Sequence, residues 1–231
     1  MENLGFYLLI EEKNNPLSQK QQEELLNIIL EETFGQYEEM CLNKKSFDFS
    51  AFNEKAFLKS VLGKKKQEFQ LRSGVTDTYF RGDLNINVII DNGRNRIDLY
   101  INKKEALTSR VITNLEIFVQ KIIPLFKNVG EGYCRVTGFD YEKFYKEHEL
   151  SPLNSGFFNY LNWMHFIGKP YYEYFGYKKQ DLLAAPAHKT LELENEAVFI
   201  QTSKSPPNWE DVDYLESIKN LNKYLVEKSS Y

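Results

Sequence analysis

The first apolar run, Phe6 to Ile10, reads as a buried strand. Pro16 stops it, and Ser18-Gln19-Lys20-Gln21 has the form of a capping box. There the serine hydroxyl accepts from the backbone three residues on while the glutamine reaches back. Leu25, Leu26, Ile29 and Phe34 recur at helical spacing after it, and Gly35 suits the position just past the helix end. A second, aromatic helix is predicted over Ala51 to Leu62, and the stretch from Lys64-Lys65-Lys66 to Ser73-Gly74 reads as a surface connection. The clearest local pattern follows. Leu84, Ile86, Val88 and Ile90 alternate with Asn85 and Asn87, and Ile97, Leu99 and Ile101 alternate with Asp98 and Asn102, with Asp91-Asn92-Gly93-Arg94 between them. Asn-Gly tolerates the positive φ of a tight turn, so a β-hairpin with one apolar face is expected.

A helix from about Thr108 to Lys127 is next, its last turn weakened by Pro124. Tyr133 to Gly138 reads as a short strand and Tyr141 to Glu149 as a short helix, while Phe157 to Ile167 fits either state. A second hairpin joins Leu191–Leu193 to Val198–Gln201 across Glu194-Asn195-Glu196, and a final helix spans about Trp209 to Val226. Strands and helices come in blocks with no βαβ rhythm. The expected fold is therefore α+β, antiparallel hairpins packed on several helices, in one compact domain over residues 1–231.

Composition narrows the class. With 42% hydrophobic and 27% charged residues the chain is globular and not disordered, and 15% aromatics favour both core and interface roles. No stretch approaches the roughly 20 apolar residues that cross a bilayer. The N-terminus has neither a basic region nor a small-residue cleavage site, and Cys41 and Cys134 are too few for a disulfide framework. A cytoplasmic protein with no membrane partner is expected. Charge is uneven: residues 1–40 carry 2 basic and 9 acidic side chains, 41–180 carry 22 and 15, and 181–231 carry 5 and 9.

Catalytic signatures do not appear: there is no P-loop, no dinucleotide-binding glycine pattern and no nucleophile elbow. His148, His165 and His188 stand far apart without cysteine partners, so no metal and no cofactor is expected. Arg81-Gly82-Asp83 reads as a turn into the hairpin. Asp83, Asp91 and Asp98 support an alternative, a metal-dependent nucleic-acid-processing or hydrolytic enzyme built on hairpin carboxylates. Lys143, Phe144, Tyr145 and Lys146 interleave charge with aromatics, but the acidic balance of the chain argues against nucleic acid as a partner. Glu210, Asp211 and Asp213 begin the last helix, where carboxylates favour the helix dipole.

A more specific pattern lies in residues 159–226. Asn162-Trp163-Met164-His165-Phe166-Ile167-Gly168 resembles the "NWLTFLG" block of a type VI secretion immunity family named for its pairing with VRR-Nuc nuclease effectors. An aromatic segment ending in Gly176, a hairpin with Val198-Phe199-Ile200-Gln201, a loop with Pro206-Pro207 and a terminal helix follow in the same order. Residues 1–150 agree only in general element order, and the loop Ser205 to Asp211 lacks the Gly-Asp pattern of the family. The resemblance implies a non-catalytic protein that binds and neutralises a cognate toxin, a nuclease on this reading. The expected partner-binding positions are Trp209, Glu210, Asp211 and Asp213, with Glu192, Glu194 and Glu196 of the second hairpin. Asn162, Trp163, Phe166 and Gly168 are expected to be structural. A non-catalytic scaffold without a toxin partner is the remaining alternative.

Overall fold

The computed structural model describes residues 3–10, 17–32, 39–42, 45–48, 66–72, 85–91, 95–102, 109–126, 130–136, 140–153, 159–204 and 210–229. Their strands are β1 (Asn3–Ile10), β2 (Glu39–Leu42), β3 (Lys45–Asp48), β4 (Lys66–Arg72), β5 (Asn85–Asp91), β6 (Asn95–Asn102), β7 (Glu131–Val136), β8 (Met164–Ile167), β9 (Lys189–Glu192) and β10 (Val198–Gln201). They form one sheet in the order β3-β2-β4-β5-β6-β1-β7-β8-β10-β9, and every neighbouring pair is antiparallel. The helices are α1 (Gln19–Glu32), α2 (Ser109–Ile122), α3 (Tyr141–Glu147), α4 (Lys169–Tyr174), α5 (Lys179–Leu183) and α6 (Val212–Lys228). The α+β class is as the pattern predicts.

Local chemistry explains several boundaries. The Ser18 hydroxyl accepts from the Gln21 backbone N–H at 3.3 Å while the Gln21 side-chain Oε1 accepts from the Ser18 N–H at 3.0 Å, so the capping box is closed in both directions. Ser18→Ala should lower stability by about 1 kcal/mol in urea denaturation, and no change would assign the helix start to packing alone. Pro124 ends α2 at Ile122, and the chain continues as a 3-10 turn over Ile123–Leu125. The first hairpin pairs Asn85 with Tyr100 through Ile90 with Asn95. The helix predicted over 51–62 and the Asn92–Arg94 turn lie outside the described residues.

Register sorts the second half of the sheet into two faces. Ile167 and His165 of β8 stand beside Val198 and Ile200 of β10 and beside Glu131 and Tyr133 of β7. This face carries a core of Phe144, Tyr145, Tyr172, Leu182, Tyr214, Ile218, Leu221 and Leu225, contributed by α3 to α6. On the opposite face Phe166 stacks on Phe199 with ring centroids 5.0 Å apart, and Lys189 of β9 reaches Glu116 of α2, against which α1 packs. Helices thus cover both faces here. That is why all four residues of β8 and all four of β10 are buried, and why Phe157 to Ile167 shows no alternation in sequence.

Candidate functional site

The Asn162–Gly168 block lies in the middle of this double-covered region. Trp163 has no exposed surface, and its indole N–H donates to the Ser203 carbonyl at 2.9 Å. Its backbone N–H donates to the Cys134 carbonyl, and its carbonyl accepts from both the N–H and the hydroxyl of Thr202. The residue therefore ties the ends of β7, β8 and β10 together. His165 is buried, and its Nε2 accepts from the Asn162 N–H at 2.7 Å. Burial pushes its pKa down to about 3, which keeps the imidazole neutral. The buried Asn162 amide donates to the Tyr160 carbonyl. Gly168 is buried where its N–H meets the Gly130 carbonyl at 2.7 Å, a backbone approach that suits a residue without Cβ. These positions, with Phe166, organise the core and do not reach solvent.

The expected contact carboxylates fall in two places. Asp211 is the N-cap of α6, accepting from the Asp213 N–H at 2.9 Å and the Tyr214 N–H at 3.4 Å. Glu210, Asp211, Asp213 and Glu216 are exposed, and Val212 among them is 68% exposed. Trp209 lies outside the described residues. The second set sits at the β9–β10 turn, where Asn195 and Glu196 hold φ of 60° and 59° and the Asn195 amide donates to the Ile123 and Phe126 carbonyls. Glu192 pairs with Lys179 at 2.7 Å, and Glu196 pairs with Lys169 at 2.7 Å and with Lys179 at 3.8 Å. The hydrogen bond to Lys169 holds the Glu196 carboxyl below the usual range, and the same bond raises the lysine. This cluster is charge-balanced and fixes the turn to α4 and α5, so it is not an open acidic surface. Glu194 is exposed.

Beside it is a cleft that the sequence pattern did not single out. It is a narrow recess of about 340 Å³, counting the solvent at its opening, between β7, the end of β8, α4 and the residues after α4. Its closed part has room for about one water. Aromatic side chains of Tyr133, Tyr171, Tyr172, Phe175 and Tyr177 wall it, and Glu131 and His165 supply the polar groups. Tyr174 is 72% exposed, with its ring edge-on at 5.0 Å to Phe175, one of the lining residues. The wall is held by a glycine-dependent stop. Gly176 takes φ 76°, donates to the Glu173 carbonyl and lets Tyr177 donate to the Tyr172 carbonyl, which ends α4 in a Schellman turn. The signal in sequence was the aromatic run Tyr171 to Tyr177, whose division into buried and exposed rings depends on that turn.

Of the hairpin carboxylates of the enzyme alternative, the two that are described stand apart along the strands. Asp98 stands opposite Asn87, four residues along β5 from Asp91, roughly 13 Å of strand. Asp83 lies outside the described residues. Among the described residues no group of three or more His, Cys, Asp or Glu is placed to hold a metal ion, and no helix is long and apolar enough to cross a membrane.

No protein-family model matches the chain, and no curated protein matches its sequence. Solved structures do match. One is a Pseudomonas aeruginosa T6SS (type VI secretion system) protein, similar over 95% of this chain and 74% of that one, with a TM-score of 0.60 and 9% identity. At that identity the likeness shows a shared fold.

Proposed function

We propose that the protein is an immunity protein, which neutralises a cognate antibacterial toxin of the type VI secretion class by binding it directly and catalyses nothing itself. The observation that carries this reading is a fold shared along 95% of the chain with a T6SS protein. The Asn162–Gly168 block supports it from the sequence side, and the resemblance of that block implies a nuclease as the toxin. Such an enzyme presents a positive groove to DNA. The exposed carboxylates of the α6 start, with the exposed Val212 among them, suit a positive surface in charge and offer an apolar contact.

Asp211 separates charge from capping. Asp211→Asn keeps a cap acceptor and should leave stability unchanged, whereas Asp211→Ala should cost about 1 kcal/mol. Charge reversal at Glu210 and Asp213 together with Asp211→Asn should weaken binding to the toxin encoded beside this gene, chiefly by slowing association. Unchanged association kinetics in a folded variant would leave the α6 start a purely structural element.

A further inference from the structure

We propose that the open edge of β9 pairs with the same edge of a second copy of this chain, joining two sheets across a two-fold axis at Leu191. β9 is the last strand at its end of the sheet. The phase of the ladder is fixed on both sides of β10. The Leu193 N–H donates to the Ala197 carbonyl, and the Thr202 N–H donates to the Trp163 carbonyl. Hydrogen-bonded positions alternate along antiparallel pairs. Lys189 and Leu191 therefore turn their backbone groups to β10, while Thr190 and Glu192 turn theirs away from it. Among the described residues no hydrogen bond reaches those two N–H groups or those two carbonyls.

Such an edge is commonly guarded by a proline, a bulge or a free charge, because a bare ladder templates pairing with another chain. β9 has no proline, and its register with β10 is unbroken. Its two charges are held within the molecule, Lys189 by Glu116 and Glu192 by Lys179. The surface next to the edge is apolar. The Thr190 hydroxyl donates to the Leu183 carbonyl at 2.8 Å, which sets the end of α5 beside β9, and no charged residue occurs from Leu182 to Ala187. Ala184 and Pro186 there are exposed, and Leu191 is half-buried.

Self-complementarity selects a second copy as the occupant. A two-fold axis normal to the sheet sets outward positions against outward positions and keeps paired side chains on one face. Centred on Leu191, it sets Thr190 against Glu192 of the second copy and Glu192 against Thr190 of the second copy. Every outward N–H and carbonyl is then used. Leu191 meets Leu191 of the second copy, and no like charges stand opposite each other. Centred on Thr190, the axis would set Glu192 against His188, which lies in the bend before β9 and offers no strand to meet. The contact is short, so the dimer is weak and depends on concentration. It is independent of the immunity reading.

Sedimentation velocity of the purified, full-length protein should show the mass doubling as concentration rises from micromolar to submillimolar. Thr190→Pro removes an outward N–H and no bond to β10, so the dimer should be lost in a folded protein. Thr190→Val loses the hydroxyl and keeps the N–H, so it should match Thr190→Pro in thermal midpoint and still dimerise. Leu191→Lys and Leu191→Glu each place like charges at the axis and should raise the dissociation constant by about tenfold or more. An equimolar mixture of these two should recover the dimer. That mixing experiment decides the matter even if Thr190→Pro does not fold, because Leu191 is only half-buried. A protein that stays monomeric throughout overturns the proposal, and a loss of toxin affinity in Thr190→Pro would then assign the edge to a strand of the toxin. A dimer that persists in Thr190→Pro and in Leu191→Lys overturns the edge pairing. A mixture no more dimeric than its components overturns the register at Leu191.

Discussion

Replacing Trp163 with alanine should destabilise the protein by about 3–5 kcal/mol, a large part of the stability of an ordinary domain. The side chain is fully buried where the ends of β7, β8 and β10 meet, so its removal leaves a cavity in a closely packed interior. The loss is compounded because the Ser203 carbonyl is left without the indole donor. Trp163→Phe separates the two effects: it retains most of the ring volume and gives up the hydrogen bond, so roughly 1–3 kcal/mol should be lost. Urea denaturation followed by circular dichroism reads both values. A Trp163→Ala loss near that of a surface substitution, together with lost toxin binding, would move this residue from the core to the interface.

The second large effect is a pH dependence centred on His165. Its folded pKa is about 3 against an ordinary 6.5. The sign follows from which state takes the proton. Above the ordinary value both states hold a neutral ring and stability is flat. Below it the unfolded chain binds a proton that the folded protein refuses, so stability falls as pH falls, until the folded pKa is reached. Between about pH 7 and about pH 5 the expected loss is about 2 kcal/mol at this one site. His165→Gln keeps an acceptor for the Asn162 N–H and does not titrate. Its stability should therefore fall by about 2 kcal/mol less than the unmodified protein over the same range. Parallel curves for the two proteins would show that His165 takes up its proton as readily in the folded protein as in the unfolded chain.

The parts of the fold that were legible in sequence are those whose signal is local. Ser18 and Gln21 spell a cap within four residues, Pro124 cannot continue a helix, and Ile86, Val88 and Ile97 alternate beside an Asn-Gly turn. What was not legible depends on tertiary cover. Met164 to Ile167 has no alternation because α2 and the C-terminal helices bury both of its faces, and the short α4 and α5 are set by the Gly176 turn and by packing on β9 and β10. The charged pattern of Lys66–Arg72 concealed β4 for a related reason, since it has strands on both sides and its pairing partners are distant in sequence. The candidate site divides in the same way. Asp211 was readable as a helix start, and it is the cap of α6. The pairing of Glu192 and Glu196 with Lys179 and Lys169 joins positions up to 27 residues apart, so carboxylates that read as an acidic hairpin are neutralised in the fold.

The central claim is that this protein neutralises a toxin by contact. Its most direct test is survival of cells expressing the toxin encoded beside this gene, with and without this protein supplied in the same compartment. The account predicts survival when both are made, together with a complex that copurifies. Continued killing by the toxin in cells that accumulate the folded protein would contradict it.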